Sequence, residues 1–97
     1  MKKAEIITDQ FAVRLPVDGT LDLHTFKPGD AADVVLDYLE ECRRHNVLQI
    51  RIIHGKGIGN LRRTVEATLG RLDFVESWKP AGHDAGHWGA TLVWLKP

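Results

Sequence analysis

Two histidines, an aspartate and a run of glycines are the residues of this chain whose types and spacing suit chemistry. Asp22 and His24 lie in the stretch LDLH, and His54 opens the stretch HGKGIGN, in which three glycines alternate around a lysine. An imidazole titrates near neutral pH, so it can donate or accept a proton, and a neighbouring carboxylate can orient it. These three side chains are therefore the first candidates for acid–base chemistry.

The glycines and cations that follow His54 suit an anion. Glycine lets the backbone approach a ligand closely, and the N–H groups at the start of a helix favour negative charge. The spacing matches neither the dinucleotide-binding fingerprint nor the P-loop, so the stretch is either an anion site or a plain turn. The residues predicted to bind this anion, most naturally a phosphate, are Gly55, Lys56, Gly57, Gly59, Arg62 and Arg63.

Several of these polar side chains also have a purely structural interpretation. His54 could cap the end of a strand, and Asp22 could pair with Arg51 across an exposed sheet face. The stretch HDAGH at residues 83–87 holds three potential metal ligands, but it lacks a second ligand pair, so a polar loop is the favoured interpretation. Cys42 lies in a helical pattern and is expected to be a small buried residue. We expect no metal and no cofactor.

Hydrophobic periodicity predicts the elements that position these residues. In the first predicted strand, Leu21 and Leu23 alternate with Asp22 and His24, which places both polar side chains on one face. A β-branched run then ends directly at His54, and an amphipathic helix begins near Gly59. In chain order, the predicted elements are a strand at 20–24, a helix at 28–45, a strand at 47–53, a helix at 59–72, and strands at 74–79 and 90–95.

The order β-α-β-α-β-β predicts an α/β fold, a two-layer α+β sandwich with a mixed four-stranded sheet and both helices on one face. Residues 1–19 are interpreted as an N-terminal arm and residues 20–97 as the domain. The first two strands are expected to be parallel neighbours, and ligands of such sheets bind where the strands end. His24 and His54 would then meet at one edge of the sheet, and the other sheet face would stay open to solvent or a partner.

Length and composition exclude several classes of protein. A chain of 97 residues forms one domain, and no apolar stretch is long enough to span a membrane. We expect a cytoplasmic protein, with a monomer favoured. The net charge is zero, but residues 51–63 carry four cations and no acid, whereas residues 30–41 carry five acids and no base. The tryptophans at 78, 88 and 94 are interpreted as packing residues rather than as platforms that stack nucleic-acid bases.

Four short motifs follow one another over about residues 20–95: LDLH at Leu21 to His24, HGKG at His54 to Gly57, LRR at Leu61 to Arg63, and GAT at Gly89 to Thr91. In their order and spacing they resemble the Smr (small MutS-related) domain family. The resemblance implies a fold similar to the C-terminal domain of bacterial translation initiation factor three. It also implies a partner, DNA or RNA, and an endonuclease activity that nicks it.

The resemblance assigns function to Asp22, His24 and His54 and to the glycines of the HGKG motif. One departure is Thr25, because many family members have glycine there, and its side chain could narrow the approach to the site. Two functions follow as alternatives: an endonuclease, or a module that binds nucleic acid without cutting it. An enzyme acting on a small phosphorylated metabolite is a third class, but so small an open sheet offers no obvious enclosed pocket.

Phosphodiester cleavage needs a base for the nucleophile, an acid for the leaving oxygen, and positive groups around the phosphate. We expect His24 and His54 to share the first two roles, with Asp22 orienting an imidazole. No acidic cluster of the two-metal type occurs on the predicted edge, which favours chemistry without a metal. The 2′-hydroxyl of RNA would suit a histidine pair, whereas DNA would require an activated water, and the sequence does not choose between them.

Overall fold

The main sheet has four strands, and the computed structural model of the chain describes residues 5–8, 13–55, 59–81 and 89–97. The strands are β3 (Thr20–Asp22), β4 (Gln49–Ile53), β5 (Val75–Pro80) and β6 (Ala90–Leu95), in the spatial order β3-β4-β6-β5. β3 and β4 are parallel, whereas β4 with β6 and β5 with β6 are antiparallel. The predicted mixed four-stranded sheet and its closing hairpin are confirmed.

Two helices connect these strands. The helix α1 (Ala31–Arg44) follows β3, and α2 (Asn60–Gly70) follows β4. Pro28 occupies the first position of a short 3₁₀ turn, Pro28–Asp30, that leads into α1, which suits its fixed backbone angle. Gly59 precedes α2 in the left-handed conformation, with φ of +88°. Both helix starts therefore lie within a few residues of their predicted positions.

The core lies between the helices and one face of the sheet. Buried side chains recur at helical spacing in both helices and at every second position of β3, β4 and β6, as amphipathic elements require. The helices contribute Ala31, Val34, Val35, Tyr38, Leu39, Cys42, Val65 and Leu69, and the sheet contributes Leu21, Ile50, Ile52, Val93 and Leu95. Since one cluster contains both helices, they cover the same face of the sheet, as expected.

The segment before β3 contains a hairpin that the sequence did not reveal. β1 (Glu5–Thr8) pairs antiparallel with β2 (Val13–Pro16) in a separate two-stranded sheet. The sequence predicted only an N-terminal arm at residues 1–19. The Tyr38 hydroxyl ties this segment to α1, because it donates toward the Pro16 carbonyl at 2.8 Å and accepts from the Gly19 N–H at 3.3 Å. The segment at 13–19 is thus anchored beside the first strand of the main sheet.

The first strand of the main sheet ends earlier than predicted. β3 stops at Asp22, and residues Leu23–Thr25 form a 3₁₀ turn. The Asp22 carboxylate accepts the His24 backbone N–H at 2.9 Å, so it satisfies a donor at the start of the turn and competes with strand pairing. The expected alternation of Asp22 and His24 on a strand face is wrong, although the two side chains still meet. Among the described residues, no helix is long and apolar enough to cross a membrane.

Candidate functional site

A histidine and an aspartate form a pair at the end of β3. The His24 Nδ1 atom lies 2.8 Å from the Asp22 carboxylate, and the side chains are 57% and 52% exposed. The same carboxylate accepts the His24 backbone N–H, so it fixes both ends of the residue. Because Nδ1 is paired with Asp22, Nε2 is the ring nitrogen that can exchange a proton with a ligand.

The His24 ring lies directly on Gly55, the first residue after His54. A methyl group placed on Gly55 would come within 2.8 Å of the His24 Nε2 atom, closer than real Cβ contacts. Gly55 also has φ of +83°, which favours glycine over any residue with a side chain. Glycine is therefore favoured at position 55 for two reasons: the backbone has a positive φ there, and the His24 imidazole lies too close for a side chain.

His54 is buried beneath this contact and only 4% exposed. Its Nδ1 atom lies 3.0 Å from the Gly55 carbonyl, and its Nε2 atom lies 2.9 Å from the Thr91 hydroxyl. Burial lowers the pKa of His54 below its ordinary value of 6.5, and the nearby positive charge of Arg62 adds to the effect. The ring is thus neutral at pH 7. Since a carbonyl can only accept, Nδ1 carries the proton and Nε2 accepts from the Thr91 hydroxyl.

The residue before β6, Gly89, holds the backbone of His54 and Gly55 in place. The Gly89 carbonyl accepts the backbone N–H groups of both His54 and Gly55, each at 2.9 Å. Ile53 pairs with Ala90 in β6, and Asp22 pairs with Ile53 across β3 and β4. The ends of β3 and β4 therefore lie side by side, and the start of β6 closes the same edge of the sheet.

Cations lie at the start of α2, next to His54. Arg62 is close enough to lower the pKa of that ring, and its Nε atom is buried without a hydrogen-bond partner among the described residues. Arg63 donates to the Asn60 side chain at 2.9 Å, and its backbone N–H bonds to the Gly59 carbonyl. The arrangement offers an anion the positive charge of Arg62 and the positive end of a helix.

Comparison with known proteins decides the family. The family model described as "Smr domain" matches residues 21–96, which is most of the chain. The chain belongs to the Smr domain family. The resemblance to the Smr family is thereby confirmed.

Solved Smr structures share this architecture. The Smr domain of Thermus thermophilus MutS2 matches with a TM-score of 0.76 and 36% sequence identity, over 80% of this chain and 98% of that one. YdaL, a stand-alone small MutS-related protein from Escherichia coli, matches with a TM-score of 0.71 and 25% identity, over 81% of this chain and 65% of that one.

The curated relatives are longer proteins named endonuclease MutS2. The protein from Thermomicrobium roseum is 34% identical over 80 residues, and the one from Listeria welshimeri is 37% identical over 95 residues. The matches cover 82% and 98% of this Smr chain but only 10% and 12% of those relatives. The chain therefore spans about a tenth of their length.

The structure brings some of the predicted site residues together and leaves others out. Asp22, His24, His54 and Gly55 meet at one edge of the Smr fold, with Gly59 and Arg62 at the start of the adjacent helix. Arg63 is occupied by Asn60, and Lys56 and Gly57 lie outside the described residues, as does the stretch at 83–87. Among the described residues, no group of three or more His, Cys, Asp or Glu side chains could hold a metal.

Two sequence-based interpretations of individual side chains change. The alternative interpretation of Asp22, a pair with Arg51, is wrong, because Asp22 pairs with His24, and Arg51 faces Thr20 in the strand register and forms no described ion pair. The two imidazoles do not present themselves to a shared anion, because both ring nitrogens of His54 are engaged inside the fold. Sequence reasoning assigned no role to Thr91 or Gly89, and the only signal for them was the GAT motif of the family resemblance.

Proposed function

We propose that this Smr domain binds nucleic acid and cleaves its phosphodiester backbone, with His24 as the proton-transferring residue. The observation that supports this most is the exposed His24 ring, held by Asp22 at 2.8 Å and directed by its Nε2 atom onto Gly55. A phosphate bound by the loop and by the start of α2 would lie beside that nitrogen. Acid–base catalysis requires such proximity before it requires a particular pKa.

In this proposal Asp22 is a positioning residue. Its carboxylate accepts the Nδ1 proton of His24 and so fixes the tautomer that leaves Nε2 able to take a proton. The hydrogen bond from the His24 backbone keeps the carboxylate in place. The pair thus supplies one oriented base without requiring a second titrating group.

His54 is also proposed to be a positioning residue rather than a second acid–base group. Proton transfer by either of its ring nitrogens would require breaking the bond to Thr91 or to the Gly55 carbonyl inside a buried site. Its hydrogen bonds instead hold Gly55 under the His24 ring. The buried imidazole therefore sets the distance between the catalytic nitrogen and the loop.

The proposed phosphate site combines the loop with Arg62. Arg62 places a positive charge next to His54, and that charge would attract a phosphate. Gly59 begins α2, whose dipole favours an anion there. Lys56 and Gly57 are assigned to this site on the basis of the HGKG motif alone. These groups would hold the phosphate and stabilise the negative charge that builds up on it.

For an RNA substrate, His24 Nε2 would take the proton of the 2′-hydroxyl, whose oxygen attacks the adjacent phosphorus while the bond to the 5′-oxygen breaks. The leaving oxygen would then receive a proton from the imidazolium or from water. For DNA, the same nitrogen would take a proton from water, the resulting hydroxide would attack the phosphorus while one P–O ester bond breaks, and the imidazolium would give its proton to the leaving ester oxygen. Both steps use one imidazole, so the chemistry does not depend on the exposure of His54.

A second candidate function is nucleic-acid binding without cleavage. The observation that favours it is the burial of His54, because a single exposed imidazole makes a weaker cleavage site than the histidine pair expected from the sequence. Thr25, in place of a glycine common in the family, would act in the same direction. The anion-binding groups would serve either function unchanged.

The test incubates supercoiled plasmid and a structured RNA with the wild type, His24→Ala, Lys56→Ala and His45→Ala. His45 is the matched control, since it is an exposed histidine paired with a carboxylate, Glu41, but lies after α1 at the opposite edge of the sheet. Cleavage is expected in the wild type and His45→Ala, to be lost in His24→Ala with binding retained, and to weaken together with binding in Lys56→Ala. Binding without any cleavage above a mock purification would establish the second candidate.

A further inference from the structure

The face of the sheet turned away from the helices carries an aromatic ring and two cations. Strand register puts Trp94 opposite Gln49, and Leu92 between Arg51 and Lys79. Thr20 lies beside Arg51 on the neighbouring strand. We call the six residues Thr20, Gln49, Arg51, Lys79, Leu92 and Trp94 the open face.

Trp94 is the aromatic platform of the open face. Its ring is half-buried by its neighbours, and the Lys79 ammonium lies 5.6 Å from the centroid, where it is attracted to the ring. Trp78, by contrast, points to the other face, because its ring lies 3.8 Å from the position of a side chain on Gly70 in α2. The sheet therefore presents Trp94 to whatever covers the open face.

The charges of the open face complement a phosphate backbone. Arg51 and Lys79 are its charged members, so both charges of the open face are positive. The acids of these strands lie at its margins: Asp22 at the end of β3 that holds His24, and Glu76 in the bulge at the other end of β5. An aromatic ring next to cations is the composition that single-stranded nucleic acids favour.

The open face leads to the candidate site. Along β6, Trp94 lies four residues from Ala90, or about 13 Å at the usual rise of a strand. Ala90 pairs with Ile53, next to His54, and Ile53 pairs with Asp22. A strand of nucleic acid that stacked a base on Trp94 could therefore extend along the sheet and deliver a phosphate to the edge where His24 lies.

We propose that the open face is the binding track of a single-stranded DNA or RNA segment, an inference that rests on the proposed function. Trp94 stacks one base, and Arg51 and Lys79, which flank Leu92 two residues earlier in β6, contact the phosphates on the side of that base nearer the candidate site. A duplex is disfavoured on this face, since its bases are already stacked on each other and present no ring to Trp94. The track makes single-stranded stretches, loops and ends the substrates of this domain.

The test measures fluorescence anisotropy of labelled single-stranded DNA, single-stranded RNA and the corresponding duplex, with the wild type, Trp94→Leu and Trp78→Leu. Trp78→Leu is the matched control, because it removes the same ring from the other face of the sheet. Trp94→Leu is expected to weaken single-strand binding at least about fivefold more than Trp78→Leu, as loss of one stacked base predicts. Circular dichroism establishes that each variant is folded.

A second measurement does not depend on the packing of Trp94. A plot of the logarithm of the binding constant against the logarithm of the salt concentration has a negative slope. Arg51→Gln and Lys79→Gln are each expected to reduce the size of that slope by about one, because each removes one phosphate contact. Comparison of single-stranded DNA with single-stranded RNA shows which of the two nucleic acids the open face prefers.

The outcomes separate this inference from the proposed function. If the wild type binds no nucleic acid in any form, both are wrong. If it binds but Trp94→Leu behaves like Trp78→Leu and the salt slopes stay unchanged, the open face is not the track and the proposed function stands alone. Tighter binding of the duplex than of either single strand would likewise overturn the inference.

Discussion

Substitution of Gly55 by alanine tests the contact at the centre of the candidate site. The added methyl group would lie 2.8 Å from the His24 Nε2 atom, whereas an ordinary contact begins at 3.4 Å. Because His24 is an exposed side chain, its ring would retreat by at least about 0.6 Å rather than force the backbone apart. We expect Gly55→Ala to disturb the pair with Asp22 and to leave the sheet intact.

The expected magnitudes differ for stability and for cleavage. Alanine at a φ of +83° costs about 1 to 2 kcal/mol of folding free energy, since the left-handed region is unfavourable for residues with a side chain. Displacement of a catalytic nitrogen by somewhat less than 1 Å lowers a rate by about 10- to 100-fold. Cleavage should therefore fall much more than the small loss of stability explains.

The assay combines urea unfolding with single-turnover cleavage at saturating enzyme. Gly19→Ala is the matched control, because Gly19 also has positive φ, +93°, and its added methyl group meets the Gln49 carbonyl at 3.0 Å instead of the His24 ring. Gly19→Ala should lose at least as much stability as Gly55→Ala and cleave at the wild-type rate when folded.

Equal cleavage by Gly55→Ala and the wild type would refute the reasoning, because His24 would then act from a position that does not depend on Gly55. Equal losses in Gly55→Ala and Gly19→Ala would also refute it, since cleavage would then follow stability alone.

Three further predictions concern the groups around His24 and His54. Thr91→Val should cost about 1 to 3 kcal/mol in urea unfolding, because it leaves the buried His54 Nε2 atom without a donor, whereas Thr91→Ser should cost less; equal stability of the two variants would contradict this. Burial lowers the pKa of folded His54, so the unfolded chain binds the extra proton below about pH 6.5, and thermal stability should fall as pH drops below that value, less so in His54→Gln. An equally steep fall in His54→Gln would show that other groups cause it. Asp22→Asn should cleave at least about tenfold more slowly with stability within about 1 kcal/mol, since asparagine can still accept the His24 N–H; unchanged cleavage would remove the role of Asp22.

Periodicity was enough to predict the order of the main elements and the sheet edge where Asp22, His24 and His54 meet. Alternating apolar positions identified strands such as β4, and the stripe through α1 identified a helix, because burial on one face leaves a repeating pattern in the sequence. The strand-helix-strand order then implied that β3 and β4 are parallel neighbours, which the register of Asp22 with Ile53 confirms.

The details of the site depended on interactions that a periodic pattern does not record. The turn at Leu23–Thr25 forms because one side chain, Asp22, bonds to the backbone two residues later. The burial of His54 depends on Thr91, which is 37 residues away in the sequence. The hairpin of β1 and β2 lies in a weakly patterned segment, where strand pairing rather than local sequence decides the structure.

Chemical rescue tests most directly the claim that His24 alone transfers the proton, while His54 only holds Gly55 under the His24 ring. Free imidazole would be added to His24→Ala and His54→Ala, and cleavage of the preferred substrate would be followed in each. Because His24 is 57% exposed and His54 is 4% exposed, imidazole should restore cleavage to His24→Ala and leave His54→Ala unchanged. Rescue of His54→Ala, or no rescue of a folded His24→Ala that still binds its substrate, would contradict the claim.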